Sequence, residues 1–133
     1  MTRVVRFGFV TLAILVMSQQ ANAQASYQTG QNISPAFEGW EENEDGSFNM
    51  VFGYMNRNWL EELDVPVGED NHISPGSADQ GQPTHLLPRR NRYVFKVRVP
   101  ADFGDQELIW TLTTHGKTEA AYGTLRLDYK LDY

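Results

Sequence analysis

The chain has 133 residues, a formal net charge of -6 and no cysteine. That length suits one domain, and a hydrophobic share of 41% with 12% aromatics is enough for a packed core. The missing cysteine excludes a disulfide framework, a thiol nucleophile and cysteine-held zinc or iron–sulfur sites, and the acidic balance argues against non-specific nucleic-acid binding.

Arg3 and Arg6 are the only charges before Glu38. They precede Phe7–Met17, an uncharged and mostly apolar run. It is shorter than the roughly 20 residues a membrane-spanning helix needs. A positive start, a short apolar run and small residues at Ala21 and Ala23 read as a secretory signal peptide over residues 1–23. Cleavage is expected before Gln24, with a cut after Ala25 as the alternative. No cysteine is available for a lipid anchor, and Arg3 and Arg6 are not adjacent, so a twin-arginine signal is not supported. The expected location is the bacterial periplasm or the outside of the cell, with no membrane span after cleavage. Beyond the leader the charge is lopsided. Residues 24–85 carry eleven acids against Arg57 alone, whereas residues 86–133 carry eight bases against six acids. A solvated acidic surface is the commoner meaning of such a run; steering a cationic partner is the other.

Residues 24–35 are polar, contain Gly30 and Pro35, and read as a flexible lead-in. Phe37–Trp40 is a short aromatic strand. Asp45-Gly46 marks a turn. Then Phe48, Met50, Phe52 and Tyr54 alternate with Asn49, Val51, Gly53 and Met55, a period of two that makes a strand and closes a hairpin. Leu63, Val65 and Val67 alternate around Pro66, which places that strand at an edge. Tyr93, Phe95, Val97 and Val99 form the next strand, stopped by Pro100. Leu108, Trp110 and Leu112 form another, with Trp110 as the core aromatic and His115-Gly116 as an exposed turn. Leu125, Leu127 and Tyr129 suggest a last strand with its odd positions inward. No stretch has a helical period; Asn58–Leu63 is at most one turn. Strands without intervening helices cannot make a parallel sheet. The fold expected over residues 36–133 is therefore all-β, a two-sheet antiparallel sandwich of immunoglobulin-like or fibronectin-like type. A barrel is the runner-up, with too few strands. The segment Gly68–Asn91 is longer than ordinary loops, and Ile73, Leu86 and Leu87 would pin it to the sandwich.

Several residue groups bear on chemistry. His72, His85 and His115 include no His-x-x-x-His pair, although His72 and His85 share the long loop and could meet with Asp70 or Asp79 at a metal. Glu41, Asn43, Asp45 and Gly46 resemble the opening of a calcium loop, but Phe52 stands where the closing carboxylate belongs. Arg89, Arg90 and Arg92 could clamp a carboxylate or phosphate, or pair with acids of the same domain. Trp40 and Trp59, both flanked by polar residues, could form a sugar-stacking platform; core packing is the commoner fate for Trp40 and partial burial for Trp59. No nucleophile elbow, Ser-x-x-Lys motif or phosphate loop is present. No catalytic residue, metal ligand or cofactor is expected.

Some segments carry a family resemblance. They are Phe37-Glu38-Gly39-Trp40, Asn43–Phe48, Phe52–Asn58, Gly81-Gln82-Pro83-Thr84-His85 leading to Leu87-Pro88-Arg89-Arg90, Val99–Gly104 and Trp110–Thr113. With them the chain resembles a family of uncharacterised bacterial secreted proteins. The resemblance covers nearly all of the chain after the leader. It implies an envelope or secreted location in a Gram-negative bacterium and implies no activity; similar chains continue past the position of Tyr133. The functional expectation is a non-enzymatic module with a structural or partner-binding role. The partner would be an envelope or extracellular protein or glycan, met through Gln82, Thr84, His85, Arg89 and Arg90. A carbohydrate-binding or calcium-dependent adhesion module is the alternative, and a hydrolase the third reading.

Overall fold

The computed structural model describes residues 27–133. The leader expected at residues 1–23 lies outside them. Eight strands follow in order: β1 (Ile33–Glu42), β2 (Phe48–Asn56), β3 (Leu63–Asp64), β4 (Asn71–Ser74), β5 (His85–Leu86), β6 (Arg89–Val99), β7 (Leu108–Thr114) and β8 (Lys117–Gly123). One 3-10 turn, Leu127–Tyr129, is the only helical element among the described residues. The strands form two three-stranded sheets, β1-β2-β6 and β4-β7-β8, and a two-stranded ribbon, β3-β5. Every pairing within them is antiparallel. The chain is all-β, as its alternating pattern requires.

The first hairpin is set by its turn. Asn43 N donates to Ser47 O at 2.8 Å, and Gly46 takes φ +88°, a region few side chains adopt. Asp45 Oδ1 accepts from both the amide and the hydroxyl of Ser47. This register brings Phe37 opposite Phe52 and Trp40 opposite Met50. Met50, Phe52, Val97 and Val99 of the first sheet face Ile73, Leu108, Trp110 and Leu112 of the second, and all are buried. Trp110 lies on the middle strand of its sheet and is fully buried. Phe95, Phe52 and Tyr54 meet it edge to face, with centroids at 4.9, 6.2 and 6.5 Å. Such edge-on contacts place positive ring edges on a negative ring face.

The outer face of the first sheet is knitted by charge. Lys96 Nζ lies 2.6 Å from Glu41, Arg98 pairs with Asp45, and Arg90 pairs with Glu38. To reach Glu38 on β1, Arg90 passes across β2 over Gly53. A Cβ at Gly53 would strike the Asn91 carbonyl and approach Arg90 Nη1 at 3.0 Å. Here the β6 register breaks. Phe95 pairs with Phe52 and Asn91 with Tyr54, so Arg92, Tyr93 and Val94 bulge opposite Gly53 alone.

Four expectations are corrected. First, Lys117–Gly123 is a strand that alternation did not reveal. Its inward positions include Ala121 and Gly123, and a Cβ at Gly123 would meet Met50 Sδ at 2.8 Å and Phe52 Cζ at 3.0 Å. The strand is close-packed because it lacks bulk. Second, Leu125–Tyr129 is not a strand. Leu127 is 82% exposed, while the Tyr129 ring packs at a tilt against Phe37, centroids 5.5 Å apart. This tail crosses the edge of β1: Trp40 Nε1 donates to Arg126 O at 2.7 Å, and Leu131 N donates to Trp40 O at 2.9 Å. Third, the long segment is not one loop, since β4 and β5 lie within it. Correspondingly, the edge strand expected through Val67 is only the two residues of β3. Fourth, β1 begins at Ile33, inside the segment read as a lead-in. Ile33 is fully buried, and its amide donates to Thr114 Oγ1 at 2.8 Å.

Candidate interaction surface

The surface is built on the connection from β2 to β3, the ribbon and the first residue of β6. The connection is held by side-chain amides. Asn58 Nδ2 donates to Gln31 O and Asn56 Oδ1, both at 2.8 Å, and Asn56 Nδ2 donates to Glu61 O at 2.9 Å. Both asparagines are fully buried. Two outward carboxylates of this connection are taken by histidines from opposite sides. His115 Nε2 lies 2.9 Å from Glu61, and His85 Nε2 lies 3.4 Å from Glu62. Between these anchors and Asn58, Trp59 and Leu60 are left 56% and 68% exposed.

The five residues expected to form a binding surface separate. Gln82 is buried; its Nε2 donates to Ala78 O at 2.7 Å and its Oε1 accepts from Gln80 N at 2.8 Å. It staples its own turn and presents nothing to solvent. Arg90 is spent on Glu38 and the Tyr54 carbonyl. Thr84 is exposed, and its carbonyl accepts from Val65 N at 2.7 Å. His85 on β5 and Arg89 at the start of β6 are both exposed. His85 pairs across the ribbon with Asp64, its Nδ1 2.7 Å from the carboxylate. Bonding to Asp64 first, and to Glu62 next, raises its pKa above the ordinary imidazole value. The Arg89 guanidinium lies over the Trp59 ring, 5.0 Å from its centroid. Sequence reasoning named Arg89 and Trp59 separately and had no signal to join them.

Other expected groupings are dispersed. His72 lies on β4, in a different sheet from His85, and its Nδ1 is 3.1 Å from Glu69 O. The acids of the calcium-like turn are bonded to Lys96, Arg98, Asn49 and Ser47 instead of converging. The hydrogen bond from Lys96, with help from Asn49 and Tyr133, lowers the Glu41 pKa to about 2. No group of three or more His, Asp or Glu side chains among the described residues is arranged to hold a metal. Trp40 is buried, as core packing requires. An open depression of about 560 Å³ between Asn32, Arg57 and Lys117 contains one carboxylate, Glu119. Glu119 accepts hydrogen bonds from Asn32, Ser34 and Arg57. Among the described residues no helix is long and apolar enough to cross a membrane.

No family model, no curated protein and no solved structure matches this chain. The family resemblance therefore rests on the quoted segments alone. One of them, Gly81–Arg90, supplies β5 and the Arg89 of the surface just described.

Proposed function

We propose that the protein is a non-enzymatic, immunoglobulin-like sandwich exported to the periplasm or cell exterior, and that it binds a protein partner through the ribbon end. The observation that carries this reading is the patch itself. Trp59 and Leu60 on the connection and Leu87 just after β5 are exposed large apolar side chains, and Arg89 at the start of β6 lies over Trp59. Trp and Arg are the residues that most often dominate binding energy at protein interfaces. The patch rests on a rigid frame, because Asn56 and Asn58 fix the connection beneath it. A rigid surface loses little entropy on binding.

The hydrolase reading has less support. A glycoside hydrolase needs two carboxylates facing one bond; the depression described above holds one, already bonded to Arg57, and a smaller one of about 240 Å³ has Asp105 and Glu107 in its lining beside Arg126. The sugar-stacking reading needs an open aromatic face, and one face of Trp59 carries Arg89.

Photocrosslinking groups placed in turn at Leu60, Leu87 and Asp102 of the exported chain test the proposal. Capture of one common partner from Leu60 and Leu87 but not from Asp102 supports it. Equal capture from all three, or from none, overturns it.

A further inference from the structure

Five of the nine Lys and Arg side chains among the described residues are matched by the protein's own carboxylates. Arg57 pairs with Glu119, Arg90 with Glu38, Lys96 with Glu41, Arg98 with Asp45 and Arg126 with Asp128. Arg89, Arg92, Lys117 and Lys130 are not matched, and two of these lie over indole rings: Lys130 over the buried Trp40 and Arg89 over the exposed Trp59. Among the described residues the Arg89 guanidinium has no carboxylate partner and no hydrogen-bond acceptor. Its backbone is unusual as well. Arg89 has φ +67°, the left-handed region that side chains other than Asn and Asp rarely adopt. Pairing with Asn56 on β2 and the hydrogen bond from Asn91 Nδ2 to Arg89 O hold it there.

A set of donors is thus held over an aromatic ring with no protein acceptor among the described residues. Guanidinium is weakly hydrated and matches a carboxylate with two parallel hydrogen bonds. Stacking on Trp59 restricts the side chain before binding, so less freedom is lost when an acceptor arrives. We propose that Arg89, stacked on Trp59, is a receptor for a carboxylate of the partner, carried by an aspartate, a glutamate or a chain terminus flanked by apolar residues. This rests on the ribbon end being the interaction surface, and it adds the chemistry of what binds there.

Charge selects a carboxylate over a phosphate. Arg89 offers one positive charge, its neighbour Arg90 is neutralised by Glu38, and Glu61, Glu62 and Asp64 lie on the same connection and ribbon. A dianion or a nucleic-acid backbone calls for several unpaired cations. A single carboxylate does not. Leu60, next to Trp59 in the chain, and Leu87, two residues before Arg89, are exposed apolar side chains available to apolar neighbours of the acid.

The probes are two end-blocked tripeptides, Leu-Glu-Leu and Leu-Gln-Leu, titrated into the full chain. Trp59 is the exposed tryptophan, whereas Trp40 and Trp110 are buried, so ring emission reports the site. The glutamate peptide is expected to shift emission saturably with a Kd of roughly a millimolar, the scale of one small contact. The glutamine peptide should bind about threefold more weakly, because it offers a neutral amide oxygen where the exposed guanidinium would otherwise meet a charged acceptor with two oxygens. Trp59→Phe should remove the signal. Arg89→Asn, which suits the left-handed backbone, and Arg89→Lys, which keeps the charge but not the fork, should each lose about tenfold. Equal binding of the two peptides, or unchanged binding by Arg89→Asn, overturns the proposal. If crosslinked capture at Leu60 survives Arg89→Asn undiminished, the surface stands and the carboxylate receptor falls. If peptide discrimination holds while crosslinking captures nothing, the receptor stands and the protein-binding reading falls.

Discussion

The indole Nε1 of Trp110 donates to Asn71 Oδ1 at 2.9 Å, deep in the core. The same amide donates from Nδ2 to the carbonyls of Val65 at 2.9 Å and Pro83 at 3.0 Å. One fully buried side chain therefore ties the middle of the second sheet to segments next to both ribbon strands. Precision at the surface is inherited from this knot in the interior.

Replacing Asn71 by Leu removes all three bonds, leaving the indole N–H and the Val65 carbonyl buried without this partner and the half-buried Pro83 carbonyl without it too. Each such orphan costs about 1–3 kcal/mol, so a loss of about 3 kcal/mol or more is expected. Chemical denaturation of Asn71→Leu beside the parent measures it. A loss under about 1 kcal/mol contradicts the role given to this residue.

His85 should make the ribbon sensitive to pH. Its Nδ1 faces Asp64 at 2.7 Å and its Nε2 faces Glu62 at 3.4 Å. Only the imidazolium can donate from both nitrogens; a neutral ring turns a lone pair toward one carboxylate. Because the folded pKa is raised, the stabilisation is complete below the unfolded value near about 6.5 and fades as pH rises through the folded value. The Val65 amide, bonded to Thr84 O, reports ribbon closure. Its hydrogen-exchange protection, corrected for intrinsic rate, should fall on the alkaline side. In His85→Gln the protection should be flat with pH.

Glu41 predicts the opposite slope at the acid end. The Lys96 hydrogen bond lowers its pKa from 4.5 to about 2. A depressed carboxylate contributes stability that is present above its unfolded pKa and lost as pH falls through the folded one. Between pH 4.5 and about 2 the parent should lose more stability than Glu41→Gln. Denaturation midpoints across that window compare the two. Parallel curves would remove Glu41 as a source of acid sensitivity.

Gly53→Ala should destabilise the first sheet although it adds only a methyl group. The new carbon meets the Asn91 carbonyl and lies 3.0 Å from Arg90 Nη1 and 3.1 Å from Arg92 Cα. Overpacking of this kind costs about 1–3 kcal/mol. Thermal unfolding should also show that Arg90→Ala and Gly53→Ala are not additive, because the guanidinium passes over this glycine.

The legible parts of the fold were those written in large side chains. Phe48, Met50, Phe52 and Tyr54 alternate with smaller or polar neighbours, and Leu108, Trp110 and Leu112 do the same, so both β2 and β7 could be read directly. The strand β8 could not, because it packs by smallness at Ala121 and Gly123. Leu125, Leu127 and Tyr129 carried a false strand signal: their spacing is right, but the chain has left the sheet after Gly123. At the surface, His85 and Arg89 were legible as polar groups near one another in sequence. Their partners Glu62 and Trp59 come from the preceding connection and are brought in by buried asparagines. Gln82 misled because a glutamine in a polar turn looks exposed until its amide is seen closing that turn.

The bulge at Arg92–Val94 has a consequence for how the protein behaves in a crowd. The strand β6 lies at the border of its sheet, and a long border strand is a template for runaway stacking of identical chains. Here the row of free backbone groups is broken in the middle, and Tyr93 takes φ +52°. A second molecule could add a few residues before losing step. Such irregularities discourage edge-to-edge pairing, and a variant that straightened this one is expected to aggregate more readily than the parent.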